Sequence, residues 1–294
     1  MKFKIYICVV LTATMILYKG NSQSNVVNKR NNSPIGKEQI ISKVFYDLVY
    51  LKYKSLPDNL YKEEFILELG KTTSMFISYS YILRDSARQK AVEAQANQIP
   101  LDQPLINLLS ANVSNDQFYT LSNPSNQVIQ IQHIATSTYL IADTVGAIQW
   151  KVLDSTRDIQ GYLCQKASGE SHGRNYTAWF CIDLPYNFGP RRLNGLPGLI
   201  LEAYDDQREI LYTLNHIEQA RQDEKLELPP DGIKATYKEY KKVLSVFEKD
   251  PAAFWNKSLG QGAKIHAVNG RRAKGPADPK NATEKPIENP IDLK

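Results

Sequence analysis

The pentapeptide Gly169-Glu170-Ser171-His172-Gly173 fits the pattern G-x-S-x-G, the turn on which many hydrolases carry a serine nucleophile. The chemistry asks for more than five residues. A strand must precede the serine and a helix must follow it, so that Oγ stands on a strained turn with backbone N–H donors beside it. An acid at Asp205 or Asp206 and a base at His216 would keep the chain order serine, acid, histidine. The residues after the turn, 175–181 (NYTAWFC), read as strand instead. The expectation is therefore a plain turn with no catalytic residue. A serine hydrolase at Ser171 is the alternative reading.

Cysteine is the other residue type with chemistry to offer. Cys8 lies in the apolar N-terminal run without the small residues a lipidation site needs, which leaves Cys164 and Cys181. The two are equidistant from the midpoint between His172 and Gly173. A hairpin centred there opposes Cys164 to Cys181, Lys166 to Trp179, Gln165 to Phe180, Leu163 to Ile182 and Ala167 to Ala178. Opposed residues lie about 4.5–5.5 Å apart, within reach of a disulfide. In an oxidising compartment an even pair of cysteines is usually bonded. The face carrying Leu163, Gln165, Ala167, Ala178, Phe180 and Ile182 is the more apolar and is expected to point to the core. Lys166 over Trp179 would form a cation–π pair. The histidines, His133, His172, His216 and His266, form no HxH or HxxxH pair. A metal site would need His172 with both cysteines as thiolates, which the disulfide would consume. No metal and no cofactor is expected.

These residues need a scaffold, and the periodicity supplies one. Strand-like alternation begins near Ile41, with apolar residues on both faces from Val44 to Leu51, and continues at 65–69 and 74–79. Residues 80–97 are rich in Ala, Gln and charge and read as a helix with a shallow apolar face. Residues 97–126 carry Asn, Ser, Asp and prolines and read as loop, with a short helix at 105–109. Strands resume at 127–134, 137–142, 147–153, 159–167, 175–183, 198–204 and 208–217. Ile233, Tyr237, Tyr240, Leu244 and Phe247 form one helical stripe. Asp250-Pro251 begins a second short helix. Short turns between strands imply antiparallel pairing. The expected fold is α+β: a mainly antiparallel, curved, half-barrel-like sheet with a helical insertion and a C-terminal helix.

The domain expectation follows. Residues 1–22 form a signal peptide, from Lys2, Lys4, a short apolar run and Gly20 and Ser22 before a cut at Gln23. Residues 23–40 form a disordered leader. A single β-rich domain covers 41–259, with the insertion at 80–126 and C-terminal helices at 231–259. Residues 260–294 form a disordered tail. Loss of Lys2, Lys4 and Lys19 takes the formal net charge from +5 to +2, which gives no electrostatic case for nucleic acid. No later run is apolar enough for a transmembrane helix.

The stretch 161–204 resembles the GLPGLI family of exported bacterial proteins. Gly161-Tyr162, Cys164-Gln165-Lys166-Ala167, Gly173-Arg174, Ala178-Trp179-Phe180, Asp183, Pro185 and Gly189-Pro190 lead into Gly195-Leu196-Pro197-Gly198-Leu199-Ile200. The closing Asn289-Pro290-Ile291-Asp292-Leu293 is similar to a family ending. Cys181 departs from the hydroxyl residue the pattern leads one to expect. The resemblance implies an exported protein of a Bacteroidetes-type bacterium, periplasmic, outer-membrane-associated or secreted, and brings no catalytic residues. It is a family without an assigned activity. Asp85-Ser86-Ala87, Asp143-Thr144-Val145 and Asp154-Ser155-Thr156 fit an O-glycosylation pattern of such bacteria. The functional expectation is a non-enzymatic binding or accessory protein, holding an unknown apolar ligand or an envelope protein partner.

Overall fold

The computed structural model describes residues 37–111, 113–121, 127–251, 254 and 287–292. The expected signal peptide and most of the expected leader and tail lie outside the described residues.

The first half of the chain is a meander. It runs through β1 (Glu38–Gln39), β2 (Ser42–Tyr50), β3 (Tyr61–Leu69) and β4 (Thr73–Ser78). Two helices follow, α1 (Tyr79–Ala96) and α2 (Gln103–Ser110), and then β5 (Gln117–Leu121), β6 (Gln127–Ile134) and β7 (Ser137–Ala142). The second half is β8 (Lys151–Ile159), β9 (Tyr162–Ser171), β10 (Arg174–Cys181), β11 (Leu199–Asp205) and β12 (Ile210–Gln219). It ends in β13 (Lys225–Leu226), β14 (Ile233–Ala235) and α3 (Tyr237–Lys249).

Twelve strands form one sheet in the order β14-β7-β6-β5-β4-β3-β2-β12-β11-β10-β9-β8, and β1 pairs with β13 in a small second sheet. The two meanders meet where β2 lies antiparallel to β12. Every pairing in the large sheet is antiparallel except β14 on β7. Among the described residues no helix is long and apolar enough to cross a membrane.

Alternation puts Val44, Tyr46, Leu48 and Tyr50 of β2 on one face, where they join Phe65, Phe76, Phe118, Phe180, Ile200 and Tyr212 in the main core. Phe65 and Phe76 stack with ring centroids 4.8 Å apart. Such a pair contributes about 0.5–1.5 kcal/mol beyond its burial. A second cluster, including Met75, Tyr119, Ile129 and Ile131, is closed by Ile40, Leu226 and Leu228 from the small sheet and its flanks. A third joins α3 to the β6–β7 hairpin through Ile134, Tyr139, Ile141 and Tyr240.

Four elements differ from the sequence reading. The stretch 97–126, expected to be loop with a short helix, contains β5, a strand paired on both sides inside the sheet. Its five residues are too few for periodicity to register, and tertiary burial decides them. Ile233 is not the first turn of the terminal helix but a residue of β14. The helix begins at Tyr237 because Thr236 and Glu239 close a capping box there. The strand expected at 147–153 lies at Lys151–Ile159, after a connection that leaves the sheet. Glu38, within the expected leader, caps the β3–β4 turn through Lys71 N and Thr72 N, at 2.8 and 2.9 Å.

Candidate functional site

The β9–β10 hairpin has the register expected of it. Cys164 opposes Cys181, Gln165 opposes Phe180, Lys166 opposes Trp179 and Ala167 opposes Ala178. Its turn is His172-Gly173, with φ of +50° and +82°. Two successive left-handed residues make the two-residue hairpin turn that suits the twist of a β-ribbon, and glycine is the residue that takes the second place without strain. The pentapeptide is thus a strand–turn–strand, and the helix that a nucleophile elbow needs is replaced by β10. Lys166 lies 5.9 Å from the Trp179 ring, and Arg157 covers the same ring at 4.3 Å. Leu163 and Ile182 do not point to the core: they are 63% and 56% exposed. On that face the core begins at Ala167, Ala178 and Phe180, whereas Cys164, Cys181 and Trp179 on the opposite face, expected to point outward, are buried in the main core.

Cys164 and Cys181 are both buried and carry free thiols in this structure. Burial, and then the facing Cys181, push the Cys164 thiol up to about 12. A thiol so protonated is a poor nucleophile.

Ser171 does have a hydrogen-bonded chain behind it, formed by other partners than the sequence suggests. Its Oγ is 3.0 Å from His172 Nδ1. His172 Nε2 is 2.9 Å from Asp143 Oδ2, and both side chains are nearly closed to solvent. Asp143 also receives Arg192 Nη1, and its Oδ1 accepts from Val145 N at 2.9 Å. Burial would raise the Asp143 carboxyl, but the His172 hydrogen bond and the Arg192 charge hold it at about 2. The expected partners are elsewhere. His216 stacks on Phe45, 4.1 Å between centroids, and meets Glu218. Asp205 is paired with Arg174 at 2.8 Å. Asp206 follows it in the β11–β12 connection.

The chain Ser171–His172–Asp143–Arg192 forms one wall of a pocket of about 350 Å3. The β7–β8 connection supplies Thr144 to Ile148, the start of β6 supplies Gln127 and Val128, and the turns after β10 supply Arg192 and Asn194. The wall is mixed: Val128, Val145 and Ile148 against Gln127, Thr144 and Ser171.

The turns between β10 and β11 are held from inside. Phe188, Leu193 and Leu196 are buried. Ile200 N donates to Phe188 O at 3.0 Å, and Gly195 N to Asn187 O at 2.8 Å. A Cβ on Gly198 would fall 2.1 Å from Cys181 O, so the chain re-enters the sheet only where no side chain exists. Pro190 leads into Arg191 and Arg192, whose guanidinium groups lie 4.6 and 4.7 Å from the centre of the Phe118 ring on β5. Trp179, Phe188 and Leu196 are buried, whereas Asp183 and Pro185 are exposed.

Arg191 and Arg192 escaped the sequence reading, and Arg174 and Asp143 entered it only within the family run and an O-glycosylation tripeptide. A signal was present: Arg191-Arg192 stands among Phe188, Gly189, Pro190, Leu193, Gly195, Leu196, Pro197 and Gly198, with Asn187 and Asn194 the other polar residues of the turns, and buried charge must find partners. Among the described residues no group of three or more His, Cys, Asp or Glu is placed to hold a metal ion.

A family model described as "Protein of unknown function (Porph_ging)" matches residues 169–202. That span runs from the pentapeptide through the turns to β11. No curated protein matches the chain. Two solved structures are similar, "Structure of PNGF-II in P21 space group" and "Structure of PNGF-II in C2 space group". Each is 13% identical, covers 70% of this chain and 33% of that one, with TM-scores of 0.49 and 0.48. The chain thus spans about a third of the length of those structures.

Proposed function

We propose that the chain is an exported, non-enzymatic binding or accessory protein of the GLPGLI type, and that the pocket beside the β9–β10 turn is its ligand site. The reading is carried by one observation: the pocket of about 350 Å3 is formed by the hairpin turn, the β7–β8 connection and the Arg192 turn together. Its volume is at the lower end of the range for small-molecule sites. Mixed walls suit a ligand, or a partner's side chain, with an apolar body and a hydrogen-bonding head. Export rests on the N-terminal residues 1–22, and a bonded Cys164–Cys181 pair belongs to that compartment.

The half-barrel reading has a topological support. From β7 to β8 the sheet counts ten strand-to-strand steps, about 48 Å if flat. The connection from Ala142 to Lys151 reaches about 32 Å at most. A flat sheet would break the chain, so the sheet curls and its two ends approach across the pocket.

Gly146 lines the pocket, and a Cβ there meets no atom within 4 Å. Gly146→Trp should fill the space and abolish retention of a small molecule seen by native mass spectrometry of the exported protein. Equal retention by both proteins sinks the pocket as the ligand site.

The serine hydrolase reading is favoured by the Ser171–His172–Asp143 chain. Against it stand the strand–turn–strand context and an acid already neutralised by Arg192. Labelling of Ser171 by a fluorophosphonate would reverse the preference.

A further inference from the structure

Residues 287–292 lie against the sheet, and they lie there as a peptide lies in a groove. The carbonyls of Asn289, Pro290 and Ile291 accept from Tyr50 Oη, Arg174 Nη2 and Arg174 Nε, the last two at 2.8 and 3.0 Å. Asn289 is satisfied at both ends of its amide: Oδ1 accepts from Arg174 Nη2, and Nδ2 donates to Leu51 O at 2.8 Å. Its backbone N donates to Lys52 O at 3.3 Å. Asp292 meets Arg191 Nη1, and its Oδ2 is 3.3 Å from Arg192 Nε. Asn289 is 2% exposed.

The groove is organised from behind. Arg174 Nη1 is held by Asp205 at 2.8 Å and by Glu209 at 3.4 Å. Its remaining donors are thereby aimed at the segment, and little ordering is left for the moment of binding. Every one of these contacts joins the segment to residues far from it in sequence. Nothing in them distinguishes the chain's own segment from an identical one on another molecule. Roughly thirty residues separate Phe254 from Ile287, a contour of up to about 100 Å, which covers the distance to a neighbouring molecule.

We propose that the Arg174 groove is a peptide-recognition site for an Asn-Pro-Ile-Asp segment, and that a second copy of this chain supplies that segment in trans. The asparagine is read by its amide and by both backbone groups, and the aspartate by Arg191 and Arg192. Pro290 is read by its carbonyl, and Ile291 by its carbonyl and by its side chain packed against the main core.

Two full-length variants test it. Asn289→Ala with Asp292→Ala leaves the groove intact and weakens its own occupant. Arg174→Lys keeps the charge facing Asp205 but loses the forked donors, leaving the segment intact. A fluorescent peptide of residues 287–294 should bind the first variant saturably, and a peptide carrying Asn289→Ala at least tenfold more weakly. Equal affinities, or no saturation at millimolar peptide, overturn the recognition site. If the first variant does not fold alone, the peptide must restore the fold, and a variant that stays unfolded in its presence overturns the proposal equally. Mixing the two variants should give a one-to-one complex by sedimentation. A mixture that stays monomeric while the peptide binds overturns the exchange between copies.

Discussion

Asp143 Oδ2 lies 2.9 Å from His172 Nε2, and through this contact the end of the first meander is fastened to the hairpin of the second. Asp143 stands just after β7, at one side of the sheet, and His172 in the β9–β10 turn near the other. Arg192 on the same carboxylate adds the β10–β11 turns. Asp143→Asn keeps the shape and removes the charge. It should cost about 1–3 kcal/mol, since Arg192 and His172 then face a weaker acceptor while buried. Urea unfolding measures it, and a change within error would mean that the contact fastens nothing.

Acid should loosen the same region. The folded Asp143 carboxyl, held at about 2, lies below its ordinary value. Asp292 is also lowered: burial opposes this, and the Arg191 and Arg192 charges win. Protons therefore bind the unfolded chain first, and the contribution is complete above about pH 4 and lost as pH falls from 4 toward 2. The melting temperature should drop across that window, and Asp143→Asn should flatten the drop. Identical profiles for the two proteins would contradict it.

Ser171→Ala should leave the fold intact, at a cost of about 1 kcal/mol for one lost hydrogen bond. Wild-type protein should take up no fluorophosphonate. Labelling that vanishes in the variant would make Ser171 a nucleophile.

In the exported protein the opposed cysteines should be bonded. Cys164→Ser and Cys181→Ser should each cost about 3 kcal/mol, and the double variant no more than either one. Mass analysis that finds both thiols free after export removes the bond from the account.

Gly198→Ala should be among the most damaging single changes. Its Cβ would fall 2.1 Å from Cys181 O and 2.6 Å from Cys181 C. Backbone must move, at about 3 kcal/mol or more, or soluble protein is lost. Gly146→Ala, in open space, is the control and should change stability by under about 0.5 kcal/mol. Similar stabilities for the two would refute the close approach.

What the residues determine alone is local. Alternation from Val44 to Leu51 marks a strand, and the placement of Cys164 and Cys181 about His172-Gly173 sets a register that the pairing reproduces. Those are properties of neighbours, fixed by a side-chain period of two and by turn chemistry. Tertiary structure decided the rest. β5 is a strand because β4 and β6 flank it, and its Phe118 underlies Arg191 and Arg192. Ser171 has His172 and Asp143 behind it rather than His216 and Asp205, because the packed chain brings the β7–β8 connection, which leaves a strand remote from β9 and β10 in strand order, against the turn. Leu163 and Ile182 are exposed while their neighbours Cys164 and Cys181 are fully buried, because only the cysteine face is covered at the base of the hairpin, a fact the alternation of the strands cannot contain. Hydrophobic pattern says which side of a strand seeks cover, and only the packed chain says whether cover is there.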